Sequence, residues 1–288
     1  MKIVRFNGGL GNQMFQYALY LLLKYNDIDV SMDLSDYEYR KIHNGFELPD
    51  VFKNIDIKKC DNKIVRRVSD NNHYIFSKLK KKLIGYKKTH YVEKQRFDID
   101  YKMIFDEKFI YLDGYWQSEK YFIPIKDKIF ESFTFKEDIQ LDSLNKDVYN
   151  TIKDSNSVSV HIRRGDYVKN KLHGGLYETI YYDKAISYIL NNVNNPIFIF
   201  FSDDVKWVKE NFDIKNAIYV SWNTDKNSYK DMHLMSLCKH NIIANSSFSW
   251  WGAYLNKNND KIVIAPNKWF FDDKYPDDNI VPDSWIKL

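Results

Sequence analysis

The sequence predicts an α/β fold built on parallel sheets, and three observations support this prediction. Short apolar runs typical of buried strands alternate with longer segments of helical spacing, which is the pattern of parallel sheets covered by helices. This pattern occurs twice, near the start of the chain and again after residue 155. With 288 residues, 44% of them hydrophobic, the chain is long enough to form two such regions, each with its own core.

The first region opens with a strand and a helix joined by a glycine-rich loop. We expect a strand at residues 2–6, the loop at 7–11, a helix from about 12 to 24, and strands at 30–32 and 109–112. Residues 37–106 show no clear pattern, and polar residues 136–155 are the candidate connection. We therefore predict two Rossmann-like domains, at 1–150 and 151–288, that face each other across a cleft.

The second region alternates strands and helices throughout. Strands are expected at residues 158–162, 197–201, 217–221, 241–244 and 261–265, with helices at about 181–191, 205–211, 230–239 and from 250. In sheets of this kind ligands bind where the parallel strands end. The polar motifs that follow these strands are therefore the candidate site.

Composition excludes several classes of protein. The only two cysteines, Cys60 and Cys238, form no disulfide framework and suit a reducing compartment. No signal peptide follows Met1, and the apolar stretch at residues 18–23 is far below the roughly 20 residues that span a bilayer. We therefore expect a soluble, cytoplasmic protein.

One basic segment stands out, because the formal net charge of the whole chain is only +4. Residues 75–88 have the spacing of a basic amphipathic helix. We favour an ordinary surface helix with a solvated lysine face, and keep weak peripheral contact with an anionic membrane, at the inner membrane face, as the alternative. Nucleic acid is not an expected partner, because no recognised binding motif accompanies the charge.

The most informative motif is His161-Ile162-Arg163-Arg164-Gly165-Asp166-Tyr167, which follows a predicted buried strand. Strand alternation places His161 and Arg163 on one face and Arg164 on the other. Arginine stays charged at any working pH, and its planar fork suits phosphate oxygens. We predict a phosphate or diphosphate site centred on Arg163, with a structural ion-pair network as the alternative.

The loop at residues 7–13 is a second candidate for anion binding. Gly9 and Gly11 let backbone N–H groups approach a ligand at the start of a helix. They also match the first two glycines of a dinucleotide fingerprint, with Asp33 at about the distance of its ribose-binding acid. Met14, however, stands where the third glycine belongs. A tight turn without a ligand is the other alternative.

Three further polar motifs follow or lie near predicted strands. Ser202-Asp203-Asp204 could hold a ribose or guanine edge, bind a metal, or cap the next helix. Asp231 begins a helix, where capping is again the alternative to a site. Asn245-Ser246-Ser247-Phe248-Ser249-Trp250-Trp251-Gly252 places hydroxyl and N–H groups at a helix start, which suits a phosphate. We expect this last motif near Arg163 on the same sheet edge.

Together these motifs resemble the α-1,2-fucosyltransferases of glycosyltransferase family 11. The matching stretches are Gly8-Gly9-Leu10-Gly11-Asn12-Gln13-Met14-Phe15-Gln16-Tyr17-Ala18, the His161 motif, Phe201-Ser202-Asp203-Asp204, and the serine-rich motif continued to Leu255. The resemblance implies a GT-B fold, with residues 1–150 on the acceptor side and 151–288 binding the donor. It implies inverting transfer of L-fucose from GDP-β-L-fucose to the 2-hydroxyl of a terminal galactose, on a β-galactoside-terminated glycan.

The resemblance also implies roles for single residues. Arg163 would bind the β-phosphate, and Asn12 would lie near the fucose and the acceptor, so these two are the expected catalytic residues. The donor-binding set is His161, Arg163, Asp203, Asp231, Ser246, Ser247 and Phe248, and the loop set is Gly9, Gly11 and Gln13. No cofactor and no metal is expected, because Arg163 and backbone amides can hold the diphosphate.

Two short acidic motifs leave a metal site open as an alternative. They are Asp27-Ile28-Asp29 and Asp98-Ile99-Asp100, which match the Asp-x-Asp form of metal-dependent sugar transferases. This form is weak, and no Cys/His zinc spacing occurs. For the proton lost by the acceptor hydroxyl, the sequence leaves a set of carboxylates open: Asp33, Glu47, Asp113, Asp166 and Glu178. An NAD-dependent oxidoreductase that uses the glycine-rich loop and a non-catalytic glycan-binding protein are the alternative functions.

Overall fold

The computed structural model describes residues 1–40, 43–70, 85–93, 99, 101–170, 172–272, 275, 277 and 279–288. The chain forms two compact units, Met1–Lys136 with Asp278–Ile280, and Glu137–Asp277 with Val281–Leu288. The predicted division at residue 150 falls inside the helix Lys146–Asp154. Val148 and Ile152 of this helix pack with Phe201 in the core of the second unit. The structural boundary therefore lies earlier, between Lys136 and Glu137.

The first unit is a four-stranded parallel sheet with the strand order β2-β1-β4-β3. Its strands are β1 (Lys2–Arg5), β2 (Val30–Asp33), β3 (His90–Val92) and β4 (Tyr111–Asp113). Its helices are α1 (Leu10–Tyr25), α2 (Ser35–Tyr39), α3 (Leu48–Val51), α4 (Asn62–Val68), α5 (Tyr101–Phe105) and α6 (Lys126–Ser132). The sheet grows from β1 in both directions, so the crevice beyond the ends of β1 and β4 is a topological switch point where ligands commonly bind.

The second unit is a six-stranded parallel sheet with the order β10-β9-β8-β5-β6-β7. Its strands are β5 (Asn156–Ile162), β6 (Pro196–Ser202), β7 (Ile218–Val220), β8 (His240–Ile242), β9 (Val263–Ala265) and β10 (Ile286–Lys287). Its helices are α7 (Lys146–Asp154), α8 (Tyr181–Asn192), α9 (Val205–Asn211), α10 (Tyr229–Leu237) and α11 (Ser247–Tyr254). Here the switch point lies between β5 and β8.

The apolar strands of the second unit are buried on both faces, which explains why their sequences do not alternate. Phe198 and Phe200 of β6 belong to the core on one side of the sheet, together with Val160 of β5. Ile199 and Phe201 of the same strand belong to the core on the other side. The α/β fold with parallel sheets predicted from the sequence is therefore confirmed.

Several expectations from the sequence differ from the structure, and others concern residues that the structure does not describe. Helix α11 begins at Ser247 rather than near residue 250, and β3 falls in the segment that showed no pattern. Most of the basic segment 75–88 and the Asp-x-Asp pair at 98–100 lie outside the described residues. Among the residues that the structure describes, no helix has the length and apolar character needed to cross a bilayer.

An ion-pair network fixes the carboxyl edge of the first sheet. Arg5, the last residue of β1, donates to Asp36 at 2.8 Å and to both oxygens of Asp113 at 2.8 and 3.0 Å. Asp36 is only 1% exposed. Burial works against the ionised form of Asp113, but a hydrogen bond from His90 and the charge of Arg5 lower its pKa below the usual value. Arg5 thus ties the ends of β1 and β4 to the start of α2.

Replacing Arg5→Met should destabilise the protein by about 3 kcal/mol, because two carboxylates, one of them fully buried, lose the positive charge nearest to them. Urea unfolding measures this loss. The matched control is Lys24→Met, whose ion pair with Asp56 is more than half exposed on both sides. This control should change stability by less than about 1 kcal/mol. Equal losses in the two variants would contradict a supporting role for Arg5.

Candidate functional site

The two strongest sequence motifs meet at the switch point of the second sheet. His161 and Arg163 lie at the end of β5, and the serine-rich motif follows β8, which pairs with β5 through Val160 and Ile242. The rings of His161 and Phe248 are in contact, with centroids 5.8 Å apart. The expectation that the two motifs share one sheet edge is therefore confirmed.

Arg163 combines a fixed position with partial exposure. Its Nη1 lies 2.9 Å from Asp203 Oδ2, and its guanidinium lies over the ring of Tyr167 at 5.7 Å from the centroid. The side chain is 34% exposed, so a ligand can reach it. A fixed, accessible guanidinium at a strand end is suited to hold a phosphate.

Arg164 points elsewhere and supports the loop. Its guanidinium pairs with Asp204 and lies between two aromatic rings, 5.1 Å from the centroid of Tyr177 and 4.8 Å from that of Trp207. Strand alternation predicted this separation from Arg163. The two arginines therefore do not form a single clamp.

Asp203 shapes the loop after β5 from the neighbouring strand. Its Oδ1 accepts from the backbone N–H groups of Arg164 and Gly165 at 2.9 and 3.0 Å, while Oδ2 pairs with Arg163. A Cβ at Gly165 would lie 2.8 Å from Oδ2, so any larger residue there would displace this carboxylate. The predicted donor-binding residue thus holds Arg163 and the loop in place. Asp204 caps α9 by accepting from Trp207 N at 3.2 Å.

The turn after β8 presents the first turn of α11. Ser246 is the N-cap residue, and its Oγ accepts from Phe248 N at 3.3 Å. The Asn245 amide donates to the backbone oxygens of His173 and Trp269, both at 2.9 Å, which fixes the turn. An α-helix leaves its first N–H groups without intrahelical partners, and these groups attract anions.

Asp231 lies in the first turn of α10, which packs against α11 where Gly252 meets Met235. Its Oδ1 accepts from Asn223 Nδ2 at 2.8 Å. Burial raises the pKa of this carboxyl to about 7, only partly offset by that hydrogen bond. Burial also lowers the pKa of His233, two residues on, to about 4.

The glycine-rich loop of the first unit lies at the other switch point. Gly8 has a φ of +82°, and a Cβ there would lie 2.5 Å from Asn12 Nδ2. Asn12 is partly exposed, and its Oδ1 accepts from Gln117 Nε2 at 2.7 Å. Gln117 follows β4, so this bond joins the loop after β4 to the first turn of α1.

Gln13 supports the loop and is not exposed to a ligand. It is fully buried, and its amide donates to Gly8 O at 3.1 Å and to Gly45 O at 2.8 Å. Its oxygen accepts from Glu47 N at 2.8 Å. Gly11 is likewise buried inside α1, which leaves Gly9 as the member of the predicted loop set that reaches the surface.

Two residues at this edge were not identified from the sequence. A Cβ at Gly9 would lie 3.5 Å from the exposed His43 ring, so this histidine flanks the loop. His43 falls in the segment without a pattern, and its φ of +47° is a structural observation. Gln117 stands in a visible strand-to-loop motif, but its contact with Asn12 spans more than 100 positions, which no local pattern shows.

Comparison with known proteins gives the family. A family model described as glycosyl transferase family 11 matches residues 1–288. The chain belongs to glycosyltransferase family 11. This family 11 protein is 38% identical to the alpha-1,2-colitosyltransferase of Escherichia coli, over 99% of its chain and 98% of that relative. It is therefore a glycosyltransferase.

More distant relatives agree with this assignment. The family 11 protein is 35% identical to the O-antigen biosynthesis glycosyltransferase WbnK of Escherichia coli, over 98% of each chain. It is 25% identical to galactoside alpha-(1,2)-fucosyltransferase 2 of Hylobates lar, over 90% of its chain and 69% of that one. The solved fucosyltransferase NodZ from Bradyrhizobium has 13% identity and a TM-score of 0.50, covering 87% of this chain and 91% of NodZ. The likeness to NodZ shows the fold alone.

Two findings argue against the NAD-dependent oxidoreductase: the family assignment, and the burial of Asp33, its expected ribose-binding acid. Asp33 is 1% exposed, and its two oxygens accept from Ser35 N at 2.9 Å and from Tyr111 Oη at 2.6 Å. A carboxylate held in this way fastens β2 to β4 and the start of α2. It is not available to a ribose.

The structure describes the side chains of four of the five carboxylates that the sequence leaves open as proton acceptors. Asp33 and Asp113 are engaged by neighbouring donors, and Glu178 is exposed in the second unit. Glu47 is buried, and burial raises its pKa, opposed by hydrogen bonds from Asn44 and Leu10 N. The side chain of Asp166 lies outside the described part of the chain.

Metal independence remains a prediction. Asp29 of the first Asp-x-Asp pair forms an exposed ion pair with Lys58. Within the described ranges, no group of three or more His, Cys, Asp or Glu side chains is arranged to hold a metal ion.

His161 should make stability fall with acidification. It is 6% exposed, and burial together with the charge of Arg163 lowers its pKa to about 3. The unfolded chain, with a pKa of about 6.5, takes up the proton first, so stability is lost as pH falls from about 6.5 towards 3. Urea unfolding should show that His161→Gln reduces the loss between pH 7 and 4.5 by roughly 2 kcal/mol.

Asp231→Asn is the control of opposite sign for this experiment. The folded pKa of Asp231 lies above its unfolded value of about 3.9. The stability of the wild type therefore falls as pH rises towards 7, because the buried carboxyl must ionise. The Asp231→Asn variant should be more stable than the wild type at pH 8 but not at pH 4. If both variants kept the wild-type dependence of stability on pH, burial could not be the cause of the pKa shifts of His161 and Asp231.

Proposed function

We propose that this protein is an inverting α-1,2-fucosyltransferase that moves L-fucose from GDP-β-L-fucose to the 2-hydroxyl of a terminal β-galactoside. The observation that supports it most is the meeting of Arg163 and the first turn of α11 at one switch point. The similarity to galactoside alpha-(1,2)-fucosyltransferase 2 of Hylobates lar supports the galactoside acceptor and the linkage. The two parallel-sheet units also suit a GT-B enzyme.

In this proposal the second unit binds the donor. Arg163 and the N–H groups at the start of α11, including those of Ser247 and Phe248, hold the diphosphate. Asp231 and His161 hold the ribose or guanine. Asp203 keeps Arg163 aligned through its 2.9 Å ion pair.

The chemistry then follows from the charge that develops during transfer. The bond between fucose C1 and the β-phosphate oxygen breaks, and its electron pair stays on GDP. Arg163 and the aligned N–H groups stabilise that charge most in the transition state. The acceptor 2-hydroxyl attacks C1 from the opposite face and releases its proton, so the configuration at C1 inverts.

A second donor is favoured by one comparison, because the relative at 38% identity is named a colitosyltransferase. Colitose is L-fucose without its 3-hydroxyl, so GDP-colitose presents the same diphosphate to Arg163. The two donors differ only in the 3-hydroxyl of the sugar, so only a contact with that hydroxyl can distinguish them. Parallel assays with both donors and a β-galactoside acceptor, followed by linkage analysis, decide between them.

The wild type should form an α-1,2-linked product with GDP-fucose, and its activity should survive EDTA. Arg163→Ala should reduce turnover by about a hundredfold or more, because one fixed donor to the leaving group is lost. The exposed Arg67→Ala is the matched control and should keep full activity. Transfer from GDP-colitose alone would replace the proposed donor, and stabilisation by NAD with no GDP-sugar turnover would overturn the proposal.

Binding of GDP should depend on the ionisation of Asp231. A carboxylate that accepts guanine or ribose hydrogen bonds must be charged, and its pKa of about 7 in the free protein leaves it half protonated at neutral pH. Calorimetric titration should therefore show GDP binding more tightly at pH 8 than at pH 6. In Asp231→Asn only the titration of the phosphate remains, so the pH dependence should shrink. An unchanged dependence would exclude Asp231 from the nucleotide site.

A further inference from the structure

The hydrogen bond between Gln117 and Asn12 has a defined direction. Gln117 Nε2 donates to Asn12 Oδ1 at 2.7 Å, and both side chains are partly exposed. A side-chain amide has one oxygen acceptor and two N–H donors. With its oxygen occupied by Gln117, Asn12 presents its NH2 group beside the loop at Gly8.

The loop that presents Gln117 is held rigidly from the neighbouring strand. Glu93, which follows β3, accepts from Tyr115 N at 2.8 Å and Trp116 N at 3.3 Å. A Cβ at Gly114 would lie 2.7 Å from Glu93 Oε2, so the loop approaches as closely as glycine permits.

Trp116 shows that this loop is also strained. It is 1% exposed and has a φ of +57°, in the left-handed region that bulky residues rarely adopt. Its ring is packed against Tyr91 and Tyr121, with centroids 6.1 and 5.8 Å away. Such strain persists only where the surroundings over-determine it, and it is common at functional sites. Here the next residue is Gln117, so the strained turn aims the amide at Asn12.

We propose that Gln117 is a positioning residue that fixes the Asn12 amide so that its NH2 group donates to an oxygen of the reacting sugars. This inference rests on the proposed function. It also makes Asn12 a hydrogen-bond donor to the sugars and not the acceptor of the hydroxyl proton, because a neutral amide oxygen is a very weak base. The proton of the 2-hydroxyl must then leave to another group or to water.

Two isosteric variants test the direction of the bond. Gln117→Met removes the donor and leaves Asn12 Oδ1 without this hydrogen bond. Gln117→Glu instead offers an acceptor, which draws the Asn12 NH2 group towards itself. We expect kcat at saturating acceptor to fall about tenfold in Gln117→Met and about a hundredfold in Gln117→Glu, because the amide is misplaced or reversed. Glutamate tolerated as well as methionine, or better, would overturn the proposal.

A double-mutant cycle tests whether Gln117 acts through Asn12. In an Asn12→Ala background, Gln117→Met should cost less than about twofold, because the group it positions is gone. A full additional loss would show that Gln117 acts independently and would overturn the proposal. Asn12→Asp keeps the acceptor for Gln117 but turns an oxygen towards the sugars, so it should be as impaired as Asn12→Ala. Wild-type activity in Asn12→Asp would also overturn it.

The controls separate this role from folding and from the proposed function. Asn54→Ala removes an exposed amide hydrogen bond of 2.8 Å to Glu131 O elsewhere in the first unit and should leave kcat unchanged. All variants should keep the wild-type melting temperature and its rise with GDP; a lost kcat that tracks a lost fold would make Gln117 merely structural and overturn the proposal. Failure of the proposed function would appear in the wild type itself, which would then turn over neither GDP-sugar.

Discussion

In both units, a carboxylate at the end of one strand holds the backbone of the loop that follows its neighbour. Asp203 after β6 accepts from the loop after β5, and Glu93 after β3 accepts from the loop after β4. In each case a glycine, Gly165 or Gly114, leaves no room for a Cβ against that carboxylate. Parallel strands make this arrangement available because all their carboxyl ends meet at one edge. The rest of each site depends on these two anchored loops.

The two edges then differ in the chemistry they offer. The second unit places a charged arginine and a helix start together, which suits a ligand with negative charge. The first unit places neutral amides beside a glycine-rich loop, which suits sugar hydroxyls. Its charged residues Arg5, Asp36 and Asp113 pair with one another within the sheet edge. A transferase that stabilises a leaving diphosphate and orients a neutral sugar needs both kinds of surface.

The sequence predicts well what depends on local pattern. Apolar runs predict the positions of β5 and β6, and the alternation of side chains along a strand correctly predicts that Arg163 and Arg164 point in different directions. It fails where tertiary contacts decide the outcome. Gln13 looked like a ligand amide, but its partners Gly45 and Glu47 lie more than 30 positions away and bury it. β3 (His90–Val92) lies in a segment that shows no hydrophobic pattern, and the contact between Asn12 and Gln117 joins positions that only the fold brings together.

The anchoring of the loop after β5 by Asp203 has an evolutionary consequence. Arg163 and its loop are fixed by Asp203 and by backbone contacts, all of them internal to the second unit. In the proposed function, substitutions that alter contacts with the donor's sugar ring would therefore leave the proposed nucleotide contacts of Arg163 unchanged. Under the proposed function, family members could then exchange one deoxy sugar for another through a few side-chain changes while the leaving group stays the same.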